Sequence, residues 1–99
     1  MAASPSLPAP YHGTHLAAAQ ANCEPVDWQR PIPRADRIRV REHTCECRTV
    51  IYELCATSGL VFVRKHYRKN GTTTVWESPW RRAAEGLSLW DSILRGFAR

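Results

Sequence analysis

No apolar run in these 99 residues approaches the roughly 20 that a membrane-spanning helix needs, so no membrane partner is expected. The opening Met1-Ala2-Ala3-Ser4-Pro5 has neither the basic n-region nor the apolar h-region of a secretory signal, which makes the cytoplasm the expected compartment. Cysteine is sparse, with 4 in the chain, and without secretory features a disulfide framework is not expected. Lysine occurs only at Lys65 and Lys69; every other basic side chain is arginine. No phosphate-binding P-loop, no G-x-G-x-x-G, no H-E-x-x-H and no G-x-S-x-G is present. No catalytic residue, small-molecule substrate or cofactor is therefore assigned, and the expectation is a protein that is not an enzyme.

What the sequence does have is a formal charge of +5 that is unevenly placed. Up to Cys47 the arginines are balanced by Glu24, Asp27, Asp36, Glu42 and Glu46, so the whole excess lies from Arg48 onward. A small positive domain attracts nucleic acid or an acidic protein, set against the plainer reading of a solvated basic surface.

The clearest structural signal is the stretch Arg48 to Glu77, which reads as three antiparallel strands. Asn70-Gly71 sits between two β-prone runs and suits a type I′ two-residue hairpin; Ser58-Gly59 offers a second turn. Counting outward from both turns gives one register. Val50, Tyr52, Leu54, Ala56, Val61, Val63, Lys65, Tyr67, Thr74 and Trp76 share one face. Ile51, Glu53, Cys55, Phe62, Arg64, His66, Val75 and Glu77 share the other, with Glu53, Arg64 and Glu77 side by side as acid, base and acid.

Residues 1–36 are rich in Ala and Pro and are expected to be disordered. Trp28 is the one large apolar anchor there, placed to dock on the folded part. Arg37-Ile38-Arg39-Val40-Arg41 alternates with period two. As a strand it buries Ile38 and Val40 and shows three arginines to water. Beyond the third strand, Ser78-Pro79 offers a helix start, with Ser88 as a later alternative. Ala83, Leu87, Trp90, Leu94 and Phe97, widened by Ile93, form an apolar stripe that should lie on the Tyr52/Leu54/Val63 face. Gly86 weakens that helix by about 1 kcal/mol relative to Ala. The expected fold class is α+β: a three-stranded antiparallel sheet backed by one C-terminal helix. The β-β-β-α domain occupies 37–99, with room for an extra N-terminal strand.

Three kinds of site come out of this reading. Ile51, Cys55, Phe62, His66 and Val75 leave apolar area on the outer face of the sheet, a candidate interface for a homodimer or for another regulatory protein. Arg37, Arg39 and Arg41, with Arg64, Arg68 and Lys69 on the sheet, are the nucleic-acid candidates, since a three-stranded sheet can enter the DNA major groove. For a metal, Cys45 and Cys47 project to one side if extended, with His43, Cys55 and His66 as further donors. Those donors are offset along adjacent strands, and His12-x-x-His15 on a Pro/Gly segment reads as a chance pair, so no metal ligand is assigned. Cys55 and His66 are also the best nucleophile–base pair, yet on an open sheet without a pocket.

Glu53-Leu54-Cys55-Ala56, Gly59, Phe62-Val63-Arg64, Leu89-Trp90 and Leu94-Arg95 resemble the small actinobacterial proteins of the BldB type over about Thr49 to Arg99. The resemblance implies developmental regulation, self-association and a partner regulator, and it implies no catalytic residues. The expected function is a small non-enzymatic protein in transcriptional or developmental control. It would act through self-association and another regulator. Direct DNA binding is the alternative, and a zinc-stabilised module the third.

Overall fold

A computed structural model describes residues 13–35 and 37–99. Its elements run β1 (Arg39–His43), β2 (Val50–Thr57), β3 (Leu60–Lys69), β4 (Thr72–Glu77), β5 (Arg81–Arg82) and α1 (Ala83–Leu94). The sheet is antiparallel, in the order β1-β2-β3-β4, with β5 also paired to β3. The architecture is α+β, but the sheet is five-stranded rather than three-stranded. Among the described residues no helix is long and apolar enough to cross a membrane.

Both hairpins turn where Gly permits it. Ser58 and Gly59 have φ of 47° and 80°, Asn70 and Gly71 of 52° and 77°, the paired positive angles of type I′ turns. The register follows from them. Leu54 faces Val63, Cys55 faces Phe62, and Glu53 faces Arg64, which in turn faces Glu77.

The chain after β4 departs from expectation at Ser78. Its hydroxyl accepts a hydrogen bond from the Val63 N–H at 2.9 Å, and its own N–H donates to the Val63 carbonyl at 2.8 Å. Ser78 therefore continues the β3 ladder and has no hydroxyl to spare for capping a helix. The chain returns to β3 as β5, with Val61 opposite Arg81 and Leu60 opposite Arg82. The helix begins only at Ala83, with Arg82 as an N-cap that makes no side-chain bond.

The helix also sits in a different phase. Its buried residues are Gly86, Trp90 and Ile93, while Leu87 and Phe97 are about half exposed (49% and 46%). Gly86 is the cause. A Cβ built there would lie 2.6 Å from Val61 Cβ and 2.9 Å from the Val61 carbonyl oxygen. The bare glycine lets the helix backbone rest directly on β3, and that close approach selects the face turned inward. Trp90 and Ile93 then meet Tyr52, Leu54, Val61 and Val63 in the core.

The largest correction concerns the N-terminal segment. Residues 1–12 and Asp36 lie outside the described residues, but 13–35 form an ordered arm. Ala17, Gln20 and Glu24 donate backbone hydrogen bonds to the carbonyls of Leu94, Gly96 and Phe97, at 2.8–2.9 Å. Gln29 and Glu77 exchange both bonds of an antiparallel bridge at 2.8 Å. Leu16, Val26 and Trp28 pack against the core from this arm. Prolines do not prevent this, because an extended arm that bonds only at intervals needs no N–H at every position.

Gly86→Ala is expected to destabilise the protein by roughly 1–3 kcal/mol through overpacking against Val61, despite the better helix propensity of Ala. A urea unfolding midpoint that falls, and not one that rises, is the check.

Candidate functional site

The β2–β3 turn is lined by short side chains. Ala56, Gly59 and Val61, together with Ala83 at the start of α1, leave space that no large residue fills. Around that space stand Arg34 and Ala35 at the end of the arm, and Arg37, Arg39 and Arg41. The result is an open hollow of about 830 Å³ walled by four arginines. Thr57 positions the entry: its hydroxyl donates to the Arg37 carbonyl at 2.5 Å. Arg39 pairs opposite Ala56, and a bulge at Arg41 shifts the register, so that Glu42 stands opposite Leu54.

β1 is thus an exposed edge strand along its whole length, and Val40 is 45% exposed, not buried. The bulge explains part of this. It turns Glu42 to the helix side, where the Trp90 indole N–H donates to it at 3.3 Å. The strand therefore anchors through Glu42 rather than through Val40.

Arg34 is committed elsewhere. It forms an ion pair with Glu77 and lies over the Trp80 ring at 4.3 Å. Among the described residues no ion pair holds Arg37, Arg39 or Arg41, nor Arg81 and Arg82 on the adjoining β5. Such a group can grip a polyanion, because guanidinium groups bind phosphate oxygens in bidentate fashion.

The other half of the predicted nucleic-acid set does not join them. Arg64 and Arg68 belong to the outer face of the sheet. Arg64 Nη1 meets Glu53 Oε1 at 3.4 Å. Arg68 Nη2 donates to the carbonyls of Glu46 at 2.5 Å and Arg48 at 3.0 Å, tying down the loop between β1 and β2. Lys69 stands exposed at the hairpin turn.

The outer face is not the uncovered apolar surface that the sequence suggested. Phe62 and Cys55 are fully buried and Ile51 is 7% exposed; His66 and Val75 are half-buried. Trp80 stacks on Phe62, with ring centroids 4.5 Å apart and 7° between the planes. The chain covers this face itself. Sequence reasoning placed Trp80 inside the helix and so had no cover to offer Phe62. It likewise missed Arg34, Arg81 and Arg82 as neighbours of the arginine arm. The adjacent pair Arg81-Arg82 was the signal at hand.

Cys55 and His66 do not converge either. His66 Nε2 contacts Glu53 Oε1 at 2.7 Å, while Cys55 lies opposite Phe62. Burial pushes the Cys55 thiol up to about 11, with Arg64 opposing and Glu53 and Glu77 adding to the shift. It is a protonated packing thiol at neutral pH.

A different donor set is brought together by the arm. Cys45 and Cys47 lie in the turn after β1 with their sulfurs 3.2 Å apart, and His15 Nε2 is 3.6 Å from Cys47 Sγ. The Cys47 thiol is raised above its ordinary value, first by its hydrogen bond with Cys45. His43, by contrast, turns its Nδ1 to the Thr44 carbonyl at 2.9 Å. His12 lies outside the described residues.

No protein-family model matches the chain, and neither a curated protein nor a solved structure matches it.

Because the folded Cys55 value lies above the ordinary 9.0, its stabilising contribution is complete below pH 9.0 and is lost as pH rises toward about 11. The urea midpoint should therefore fall more steeply across that window in the wild type than in Cys55→Ala. Parallel curves would show that Cys55 titrates alike in the folded and unfolded chains.

Proposed function

We propose that this chain is a small non-enzymatic regulatory protein that binds DNA through its phosphate backbone, with the arginine hollow as the contact. The observation that carries this reading is the grouping of Arg37, Arg39 and Arg41 around one open hollow, in a chain whose formal charge is +5. Duplex DNA presents closely spaced negative charge, and arginines that neutralise it release counterions, which makes binding strongly salt-dependent. The hollow reads backbone more readily than sequence, because β1 is a short edge strand and offers no helix to a groove. Sequence selection would then come from a partner regulator, as the resemblance to BldB-type proteins implies, and the setting would be transcriptional or developmental control in the cytoplasm.

Self-association through the outer sheet face no longer has the feature that suggested it, since Trp80 lies on Phe62 and Cys55 is fully buried. Phe62→Glu would place a carboxylate against that stack and unfold the domain instead of separating a dimer.

The test is fluorescence anisotropy of labelled duplex DNA across a salt series. Replacing Arg37, Arg39 and Arg41 together with Ala should reduce the slope of log K against log salt by about 0.9 for each phosphate no longer neutralised. Lys69→Ala, at the far hairpin, should leave the slope as it is. An unchanged slope in the triple variant removes the hollow from DNA binding; a reduced slope in Lys69→Ala moves the contact to the sheet face.

A further inference from the structure

The start of the arm runs beside the turn after β1. Thr14 and Thr44 form a parallel bridge, and the Cys45 N–H donates to the Thr14 carbonyl at 2.9 Å. Gly13 is not required for this approach, since a Cβ there would make ordinary contact, 3.6 Å from Cys45 Cα. The Cys45 end is fixed in turn by the sheet: Thr44 N–H donates to the Tyr52 carbonyl, and Tyr52 N–H to the Thr44 hydroxyl, both at 2.9 Å. Two segments about 30 residues apart in sequence are thereby held in register, and one imidazole and two thiols meet. Their ligand atoms all lie within 4.8 Å of one another.

We propose that His15, Cys45 and Cys47 bind a zinc ion that staples the N-terminal arm to the sheet. With Zn–S near 2.3 Å and Zn–N near 2.0–2.1 Å, a tetrahedral ion sets its sulfurs about 3.8 Å apart and sulfur and nitrogen about 3.5 Å apart. The structure has 3.2 Å between the sulfurs and 3.6 Å from Cys47 Sγ to His15 Nε2. Opening the sulfur pair by about half an ångström brings it to the tetrahedral separation, which a side-chain rotation at exposed Cys47 supplies. The exposed His15 ring, within 4.8 Å of both sulfurs, turns to close the third edge. Two thiolates and a neutral imidazole balance the charge of a divalent ion, and this softness selects zinc over magnesium or calcium. Water takes the fourth corner, reached from a cleft of about 350 Å³ alongside, lined by Leu16, Thr49 and Val50.

Binding rearranges one contact. Arg48 Nη2 lies 3.0 Å from His15 Nδ1, so Nδ1 is the acceptor and Nε2 carries the imidazole proton. Zinc on Nε2 needs that lone pair, so the proton moves to Nδ1 and Arg48 lets go. Arg48 then faces two thiolates on a turn it adjoins. This site is independent of the arginine hollow, which lies at the other end of β1.

The full chain, reduced and stripped with a chelator, is titrated with zinc while its thermal unfolding is followed, and with cobalt(II) as the spectroscopic substitute. One metal per chain is expected. So is a thiolate-to-cobalt charge-transfer band with d–d bands of tetrahedral intensity. At free zinc about 100 times the dissociation constant, the unfolding equilibrium should shift about 100-fold toward the folded chain. His15→Ala and Cys47→Ser, both at exposed positions, should keep the fold but lose the tetrahedral spectrum and the zinc-dependent shift; Cys23→Ser should keep both. Failure of the folded, reduced wild type to take up metal overturns the proposal. So does a His15→Ala variant with the wild-type spectrum and shift, which would leave the histidine out of the site. A Cys45–Cys47 disulfide that persists under reductant and excludes zinc overturns it as well.

Discussion

One helix of 12 residues is about 18 Å long, too short to cover one side of a five-stranded sheet, and among the described residues no helix lies on the other side. That shortage of cover shapes the rest of the protein. A domain this small is near the limit at which a single core suffices, and the arm supplies what regular structure does not. Trp28 is its main fastener. The indole N–H donates to the Arg99 carbonyl at 2.6 Å, the ring lies 5.8 Å from Tyr52, and Lys65 Nζ stands 5.2 Å from its centre. The helix end benefits in return. The Leu94 carbonyl, which a terminating helix would leave to water, accepts from Ala17, and the carbonyls of Gly96 and Phe97 just beyond the helix accept from Gln20 and Glu24. Burial by the arm has a cost as well: desolvation lowers the affinity of Lys65 for its proton, and nearby Arg99 adds to that.

On the outer side the shortage is met by a buried carboxylate. Glu77 is 2% exposed, a position that costs several kcal/mol for an unpaired charge. Arg34 supplies the opposite charge, and the Trp80 indole N–H donates to the same oxygen at 3.2 Å. One carboxylate thus gathers the arm, the end of β4 and the segment beyond it, and holds Trp80 flat on Phe62. The acid–base–acid row visible in the sequence is only half realised for this reason. Arg64 closes on Glu53, while Glu77 turns to Arg34.

How far the sequence revealed this structure depends on the range of the forces involved. Hairpin register is local. Two positive-φ turns and the period-two pattern determine it, and Glu53 opposite Arg64 opposite Glu77 follows by counting. Helix phase is less local: the stripe through Leu87 is as good as the stripe through Gly86 until Val61 is known to lie beneath it. Gly86 looked like a flaw and is a contact. The arm was illegible because its bonds are backbone bonds at irregular intervals, which leave no periodic trace. His15 and the Cys45/Cys47 pair were each visible as metal-ligand spacings, but nothing in the stretch between them indicates that Thr14 lies beside Thr44. The arginines were legible as a run. That Arg34 and Arg81-Arg82 stand near the same hollow depends on Ser78 extending the β3 ladder instead of opening the helix.

The charge distribution acquires a structural meaning from these pairings. Glu53, Glu77 and Asp91 each carry an ion pair, and Glu42 accepts from Trp90. These four carboxylates are engaged inside the chain, while among the described residues Arg37, Arg39, Arg41, Arg81 and Arg82 have no ion pair. Of the positive charge that the sequence places from Arg48 onward, Arg64 and Arg95 are paired with Glu53 and Asp91. Arg48, Lys65, Arg68, Lys69 and Arg99 lie elsewhere on the fold, and a part, Arg81 and Arg82, stands beside the β2–β3 turn. The arginines that Asp36 and Glu42 flank along the chain join it there, because the bulge at Arg41 turns Glu42 away to Trp90. A single bulged residue in β1 thus takes Glu42 away from the wall of the cationic hollow that Arg37, Arg39 and Arg41 form.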